Sequence, residues 1–235
     1  VTCIKDEEFQ LTASYGSQEY HLRWFLLNQK NGVNIENISD KVNGFQIAGP
    51  NSRKLLQKVT DFSLENFKFR DAHTILVGSI PCLVQRVSYT GDLGFEIYCS
   101  QDKQFNLWEI LWSAGTEFDI KPFGMRAMMS LRLDKFFGSW LSEFSPDYTP
   151  AETGLDKFIN FKKDYDFIGR SAAYSEHING CERKLCIFEV DADDADVVGY
   201  EPISLQNKVV GFCTSGGFSH HTGKSIAFGF LPSSE

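Results

Sequence analysis

Three short strand-like runs fall in close succession, Thr74–Val77, Ile80–Val87 and Gly94–Cys99. The last leads directly into Gln101–Ala114, where Phe105, Leu107, Trp108, Leu111 and Trp112 recur at helical spacing. The turn Thr90-Gly91-Asp92-Leu93-Gly94 joins the second and third runs as a hairpin. A hairpin followed at once by a one-faced helix restricts this part of the chain to a layered arrangement in which sheet and helix cover each other. Elsewhere helices and strands alternate without a regular βαβ rhythm, which predicts an α+β fold.

Ahead of these runs, Phe9–Ala13 alternates like a strand, and Gln18–Gln29 suits a helix stopped by Asn31-Gly32. Val33–Ile38 alternates again. Phe45–Gly49 reads as a strand entering a helix at Pro50, with Leu55, Leu56 and Val59 on one face. Downstream, Gly124–Phe136 reads as a helix with Met128 and Met129 in the core and Arg126, Arg132 and Asp134 on the solvated side. The pattern changes after Arg170. A short helix, Ser171–Cys181, precedes strand runs Lys184–Val190, Lys208–Thr214 and Ser225–Phe230. Between those runs lie an acidic loop, Asp191–Asp196, and a Gly-rich turn, Ser215-Gly216-Gly217. Residues 1–170 are thus expected to form an α+β region, and 182–235 a partial β-barrel.

Composition narrows the function. With 42% hydrophobic and 23% charged residues, the chain has an ordinary globular make-up. No apolar run approaches the ~20 residues that cross a bilayer, so no membrane span is expected. A formal net charge of −8 argues against a nucleic-acid surface, which needs clustered cations. The 6 cysteines show no C-x-x-C spacing and are read as reduced thiols, Cys99 and Cys186 lying inside strand runs. That fits a cytoplasmic compartment, or the mitochondrial matrix if the source is eukaryotic. Val1 is not an initiator Met, and the last strand run stops close to the end, so the chain reads as an excerpt. Its exposed strand edges make a dimer plausible.

Chemistry concentrates in three segments. In Ser88-Tyr89-Thr90-Gly91-Asp92-Leu93-Gly94-Phe95-Glu96-Ile97-Tyr98, Tyr89 and Glu96 are expected to approach one pocket from the two arms of the hairpin. A carboxylate beside an aromatic ring suits a flat heterocycle with adjacent N–H donors; a hairpin with Glu96 turned to solvent is the plainer alternative. Arg126, near a helix start, has the guanidinium geometry to take a carboxylate ligand or to sit on the surface beside an acid. The long loop Gly138–Leu155 carries Trp140, a pocket wall or a core residue. His220-His221 is the one apparent metal lure. Adjacent strand side chains point to opposite faces, so no metal site is read there.

Taken in order, these phrases resemble the T-protein superfamily of glycine cleavage, in particular its dimethylglycine and sarcosine dehydrogenase branch. The phrases are Gly16-Ser17 with His21-Leu22-Arg23-Trp24, Ala48-Gly49-Pro50, Ser88-Tyr89-Thr90-Gly91 with Gly94-Phe95-Glu96, Ser130-Leu131-Arg132-Leu133-Asp134-Lys135, Thr149-Pro150-Ala151-Glu152-Thr153-Gly154-Leu155, Asp166-Phe167-Ile168-Gly169-Arg170 and Thr214-Ser215-Gly216 with Ser225-Ile226-Ala227. The resemblance implies a folate-binding fold of mixed sheets and helices ending in a small β-barrel. Tetrahydrofolate would accept a one-carbon unit from an amine-derived donor, giving 5,10-methylenetetrahydrofolate.

By the same resemblance, Glu96 anchors the pterin and Tyr89 packs beside it. Arg126 lies near the folate, and Ser14 falls where relatives place a small residue or Asn against it. The family's catalytic Asp belongs to a strand whose tail matches Val1-Thr2, so it is expected just before Val1 and the chain as given is expected to be catalytically deficient. No flavin motif is present, so amine oxidation is assigned to a flavoprotein domain elsewhere. Two other readings share the fold: a folate-dependent demethylase of a sulfonium substrate, and a non-catalytic folate-binding assembly protein. The latter branch carries a Cys-containing signature where this chain has Lys163-Asp164-Tyr165-Asp166-Phe167-Ile168-Gly169-Arg170.

Overall fold

Phe95, Ile97 and Cys99 are buried along one strand, while Glu96 and Tyr98 between them stand half-exposed on its other side. That period of two organises the first part of the chain, because a sheet covered on one face needs it. The computed structural model describes residues 1–234 and divides them at Pro122, Val1–Pro122 forming one unit and the chain from Phe123 the other.

In the first unit, β1 (Thr2–Lys5) and β2 (Glu8–Gln10) form a hairpin, followed by α1 (Gln18–Leu27). Then come β3 (Val42–Ala48), α2 (Ser52–Gln57), β4 (Ala72–Val77), β5 (Ile80–Gln85), β6 (Gly94–Ser100) and α3 (Gln104–Gly115). The sheet order is β3-β6-β5-β4, antiparallel throughout. Its apolar face, with Val84, Phe95 and Ile97, packs on Leu55 and Leu56 of α2 and on Leu107 and Leu111 of α3. Leu107 and Leu111, four residues apart, lie on one stripe of α3. Cys82 and Cys99 lie in this core, where burial, reinforced by the neighbouring Cys99, pushes the Cys82 thiol up to about 12; it stays a neutral packing group.

Two expectations change here. The strand expected over Ile80–Val87 ends at Gln85, because its last partner is Glu96 and β6 offers no paired residue for Arg86 or Val87. Val33–Ile38 forms no strand. Alternation makes a strand only where an edge is available to pair with, and here the segment closes on itself locally: Gln29 Nε2 donates to the Val33 carbonyl and Asn37 Oδ1 accepts from Ser39 N.

The second unit holds α4 (Met125–Leu131), continued by a 3₁₀ turn at Arg132–Lys135, then α5 (Arg170–Asn179), β7 (Arg183–Val190), β8 (Pro202–Leu205), β9 (Lys208–Ser219) and β10 (Lys224–Pro232). The strands form an antiparallel sheet in the order β7-β10-β9-β8, open among the described residues. Leu133, Leu185, Ile226, Phe228 and Phe230 form its core, with Phe136, Phe144 and Tyr148 packed against it.

Ser215-Gly216-Gly217 is not a turn but the interior of β9. Gly216 is there because a Cβ would lie 2.4 Å from the Val197 carbonyl oxygen, so only glycine lets the 191–199 loop pass so close. Met128 and Met129 are half-exposed rather than core.

Arg132 is the larger correction. It is 1% exposed, not solvated, and its Nη1 donates to Glu143, which is 0% exposed, at 3.1 Å. Arg132 also donates to the carbonyls of Met129 and Phe137 and lies 5.1 Å from the Phe228 ring centroid. Glu143 accepts from Ser139 N at 2.8 Å and Ser142 Oγ at 2.7 Å, and from Ser215 Oγ. The 138–155 loop is therefore tied to α4's extension and to β9. It is tied again at Thr149-Pro150-Ala151-Glu152. There Thr149 N donates to Glu152 Oε2 and Glu152 N to Thr149 Oγ1, while Arg183 Nε donates to Glu152 Oε1 at 2.7 Å.

Candidate functional site

On the polar face of the first unit's sheet, three side chains stand in one row. Gln46 of β3, Glu96 of β6 and Gln85 of β5 are in register across adjacent strands. Directly opposed residues in an antiparallel pair share a face, with Cβ atoms about 4.5–5.5 Å apart. The next row is Gly44, Tyr98 and Leu83. A Cβ at Gly44 would come within 2.8 Å of the Tyr98 ring, so the glycine gives that ring its room.

Tyr98 Oη donates to Glu96 Oε2 at 2.5 Å, and the Thr12 side chain also hydrogen-bonds Tyr98. Residues two apart on a strand stand side by side on one face, so the tyrosine holds the carboxylate from below. Burial, and then the adjacent Glu96 charge, push the Tyr98 hydroxyl above the ordinary tyrosine range. A folded-state value raised above the unfolded one gives stability that is present below about pH 10 and lost as pH climbs through the folded value. The melting temperature of Tyr98→Phe is therefore expected to fall less than the parent's above about pH 10. Equal losses in circular-dichroism melts would mean that the hydroxyl does not sit buried on the carboxylate.

The connection from β5 to β6 is tightly closed. Gln46 Nε2 donates to Ser88 Oγ at 3.1 Å, and Ser88 Oγ lies 2.8 Å from Thr90 Oγ1. Gly49 N and Ser52 Oγ both donate to the Leu93 carbonyl. Gly91 has φ +81°, which a turn of this kind assigns to glycine. Gly94 has no room for a side chain, since a Cβ would lie 2.8 Å from the Ile47 carbonyl oxygen.

Of the residues picked from sequence, Glu96 stands on β6 as expected. Tyr89 does not sit on a strand arm: β5 has ended, and Tyr89 lies half-buried in the turn. Ser14 precedes a 3₁₀ turn, and its carbonyl accepts from Ser17 N at 3.0 Å and Ser17 Oγ at 2.7 Å. Arg126, exposed near the start of α4, and Trp140, half-buried in the 138–155 loop, belong to the second unit. The His220-His221 pair lies in the turn after β9, with the His220 ring 5.2 Å from that of Phe218. Sequence reasoning missed Tyr98, Thr12, Gln46 and Gln85. The Glu96/Tyr98 spacing was a visible signal, but the glutamines become neighbours only through strand register.

Residues 1–163 match the family described as the GCVT N-terminal domain, and residues 183–235 match the glycine cleavage T-protein C-terminal barrel domain. The chain is 39% identical over 230 residues to mitochondrial dimethylglycine dehydrogenase of Homo sapiens, covering 96% of this chain and 27% of that protein. It is 34% identical over 229 residues to an aminomethyltransferase of Caldanaerobacter subterraneus, covering 96% of this chain and 60% of that one. The glycine cleavage system aminomethyltransferase T of Bartonella henselae shares the fold, with a TM-score of 0.75 at 20% identity over 93% of this chain and 59% of that one.

Proposed function

The chain belongs to the glycine cleavage T-protein family, and from that we propose that it binds tetrahydrofolate and serves transfer of a one-carbon unit to it from an amine-derived donor. The supporting observation is the Glu96 carboxylate, half-buried on a polar sheet face and held at one oxygen by Tyr98. Such a group fits the pterin edge, whose exocyclic amine and ring N–H are adjacent donors that a carboxylate takes together.

When bound, tetrahydrofolate would supply the nitrogen that accepts the carbon, with 5,10-methylenetetrahydrofolate as product. The chain's part is orientation. Glu96 fixes the ring by its donor edge, Tyr98 keeps the carboxylate from rotating away, and Tyr89 borders the same turn. Ser14, Arg126 and Trp140 are carried as further proposed folate-binding residues on the strength of the family resemblance alone. Relatives include an enzyme named for dimethylglycine, and an N-methylated amine is our proposed donor class, with a flavoprotein domain or partner to oxidise it. The functional domains are placed at 1–170 and 182–235. In a eukaryotic source the matrix is the proposed location, otherwise the cytoplasm. No described helix is long and apolar enough to cross a membrane.

Glu96→Gln replaces an acceptor by a donor facing the ligand's own donors. It should weaken tetrahydrofolate binding by about 1.5 kcal/mol or more, roughly tenfold. Unchanged affinity by titration calorimetry removes Glu96 from the site.

A further inference from the structure

Asparagine is followed by glycine at Asn31-Gly32, Asn43-Gly44 and Asn179-Gly180. In such a pair no side chain on the glycine keeps its backbone nitrogen from folding back onto the asparagine amide. Whether it does so depends on the freedom of that nitrogen and of the surrounding backbone, and the fold treats the three pairs differently.

Asn43-Gly44 lies within β3, opposite Cys99 and Tyr98 of β6, with the Tyr98 ring against Gly44. Ring closure there would peel an edge strand from its sheet. Asn179-Gly180 ends α5. Gly180 N donates to the Glu176 carbonyl at 2.8 Å and Asn179 Nδ2 to Ser175 Oγ at 3.2 Å, so attacking nitrogen and leaving amide are both engaged. Asn31-Gly32 instead stands at the tip of an exposed turn, closed by Val33 N donating to the Lys30 carbonyl. Gly32 has φ +85° and open space where a side chain would stand. Among the described residues, neither the Gly32 N–H nor the Asn31 side chain makes a hydrogen bond.

We infer that Asn31 is a site of covalent self-modification, and that the fold protects Asn43 and Asn179 from the same reaction. The Gly32 nitrogen gives up its proton and attacks Asn31 Cγ. The Cγ–Nδ2 bond breaks, ammonia leaves, and a cyclic imide remains. Water then opens the imide at either carbonyl, leaving aspartate or isoaspartate; no oxidant or reductant takes part. The product adds a carboxylate to a chain already at net −8, and the isoaspartate form lengthens the backbone by a carbon.

The test is incubation of the intact protein in mildly alkaline buffer, folded and in urea. Peptide mapping by mass spectrometry follows each asparagine, and enzymatic carboxyl methylation counts isoaspartate. In the folded protein Asn31 should convert at least about tenfold faster than Asn43 or Asn179, which is about 1.4 kcal/mol more local opening free energy for those two. In urea the three rates should converge. Asn31→Gln, whose longer amide closes a ring far less readily, should keep the folded protein's isoelectric point constant over the same period. Conversion of Asn31 no faster than that of Asn43 and Asn179 overturns the inference. So does a chain in urea that keeps the folded spread of rates, because flanking sequence and not the fold would then set it.

Discussion

Glu143→Ala is expected to lower the stability of the second unit by about 3–5 kcal/mol, the usual cost of removing one member of a buried ion pair. The magnitude comes from what is left behind. Arg132 stays charged at 1% exposure with its carboxylate gone, and Ser139 N and Ser215 Oγ lose their acceptor together. Urea unfolding followed by circular dichroism should show the midpoint falling. A loss under about 1 kcal/mol would show that water reaches Arg132.

The same carboxyl gives the fold an acid limit. Burial alone would raise Glu143, but the Ser215 hydroxyl, the Arg132 charge and the Ser139 N–H outweigh it and hold the group below the ordinary glutamate range. A depressed folded-state value means stability present above about pH 4.3 and lost as pH falls through the folded value. Glu143→Gln should be less stable at neutral pH yet lose less on acidification.

Phe95→Ala should cost the first unit about 3–5 kcal/mol. Phe95 is 0% exposed, stacks on Phe67 with centroids 5.8 Å apart, and has the Arg53 guanidinium 5.7 Å from its ring. Removing the ring opens a cavity at the centre of β6, one residue from Glu96. A loss of this size is a large share of a typical domain's 5–15 kcal/mol, so ligand affinity should fall with the folded population. Trp108 and Trp112, stacked on α3 of this unit, report it by fluorescence in a denaturant titration. Phe95→Leu, which fills most of the space, should cost less; equal losses for both variants would indicate that ring shape, not volume, matters.

These two positions differ in how far sequence could reveal them. Phe95 was legible, since its alternation with Glu96 and Tyr98 follows from the period of a strand alone. Arg132 was not. In a helix-like run a charged residue is assigned to solvent by default, and its partner lies eleven residues on in a loop without periodicity. Val33–Ile38 failed for the opposite reason: a strand pattern is only half of a sheet, and no partner edge was there to complete it. The glycine at 216 misled because glycine marks close approach as well as turns, and Val197 supplies the approach here. The Gln46–Glu96–Gln85 row is a product of register, which no single segment encodes.

Gly44 never faces a ligand in this reading, yet it governs whether Tyr98 can lie flat enough to hold Glu96. A missing side chain on one strand and an aromatic one on its neighbour are therefore a single heritable choice. Lineages that discard the tyrosine release position 44 to drift, whereas those that keep it are bound to the glycine, and the two columns of an alignment should covary.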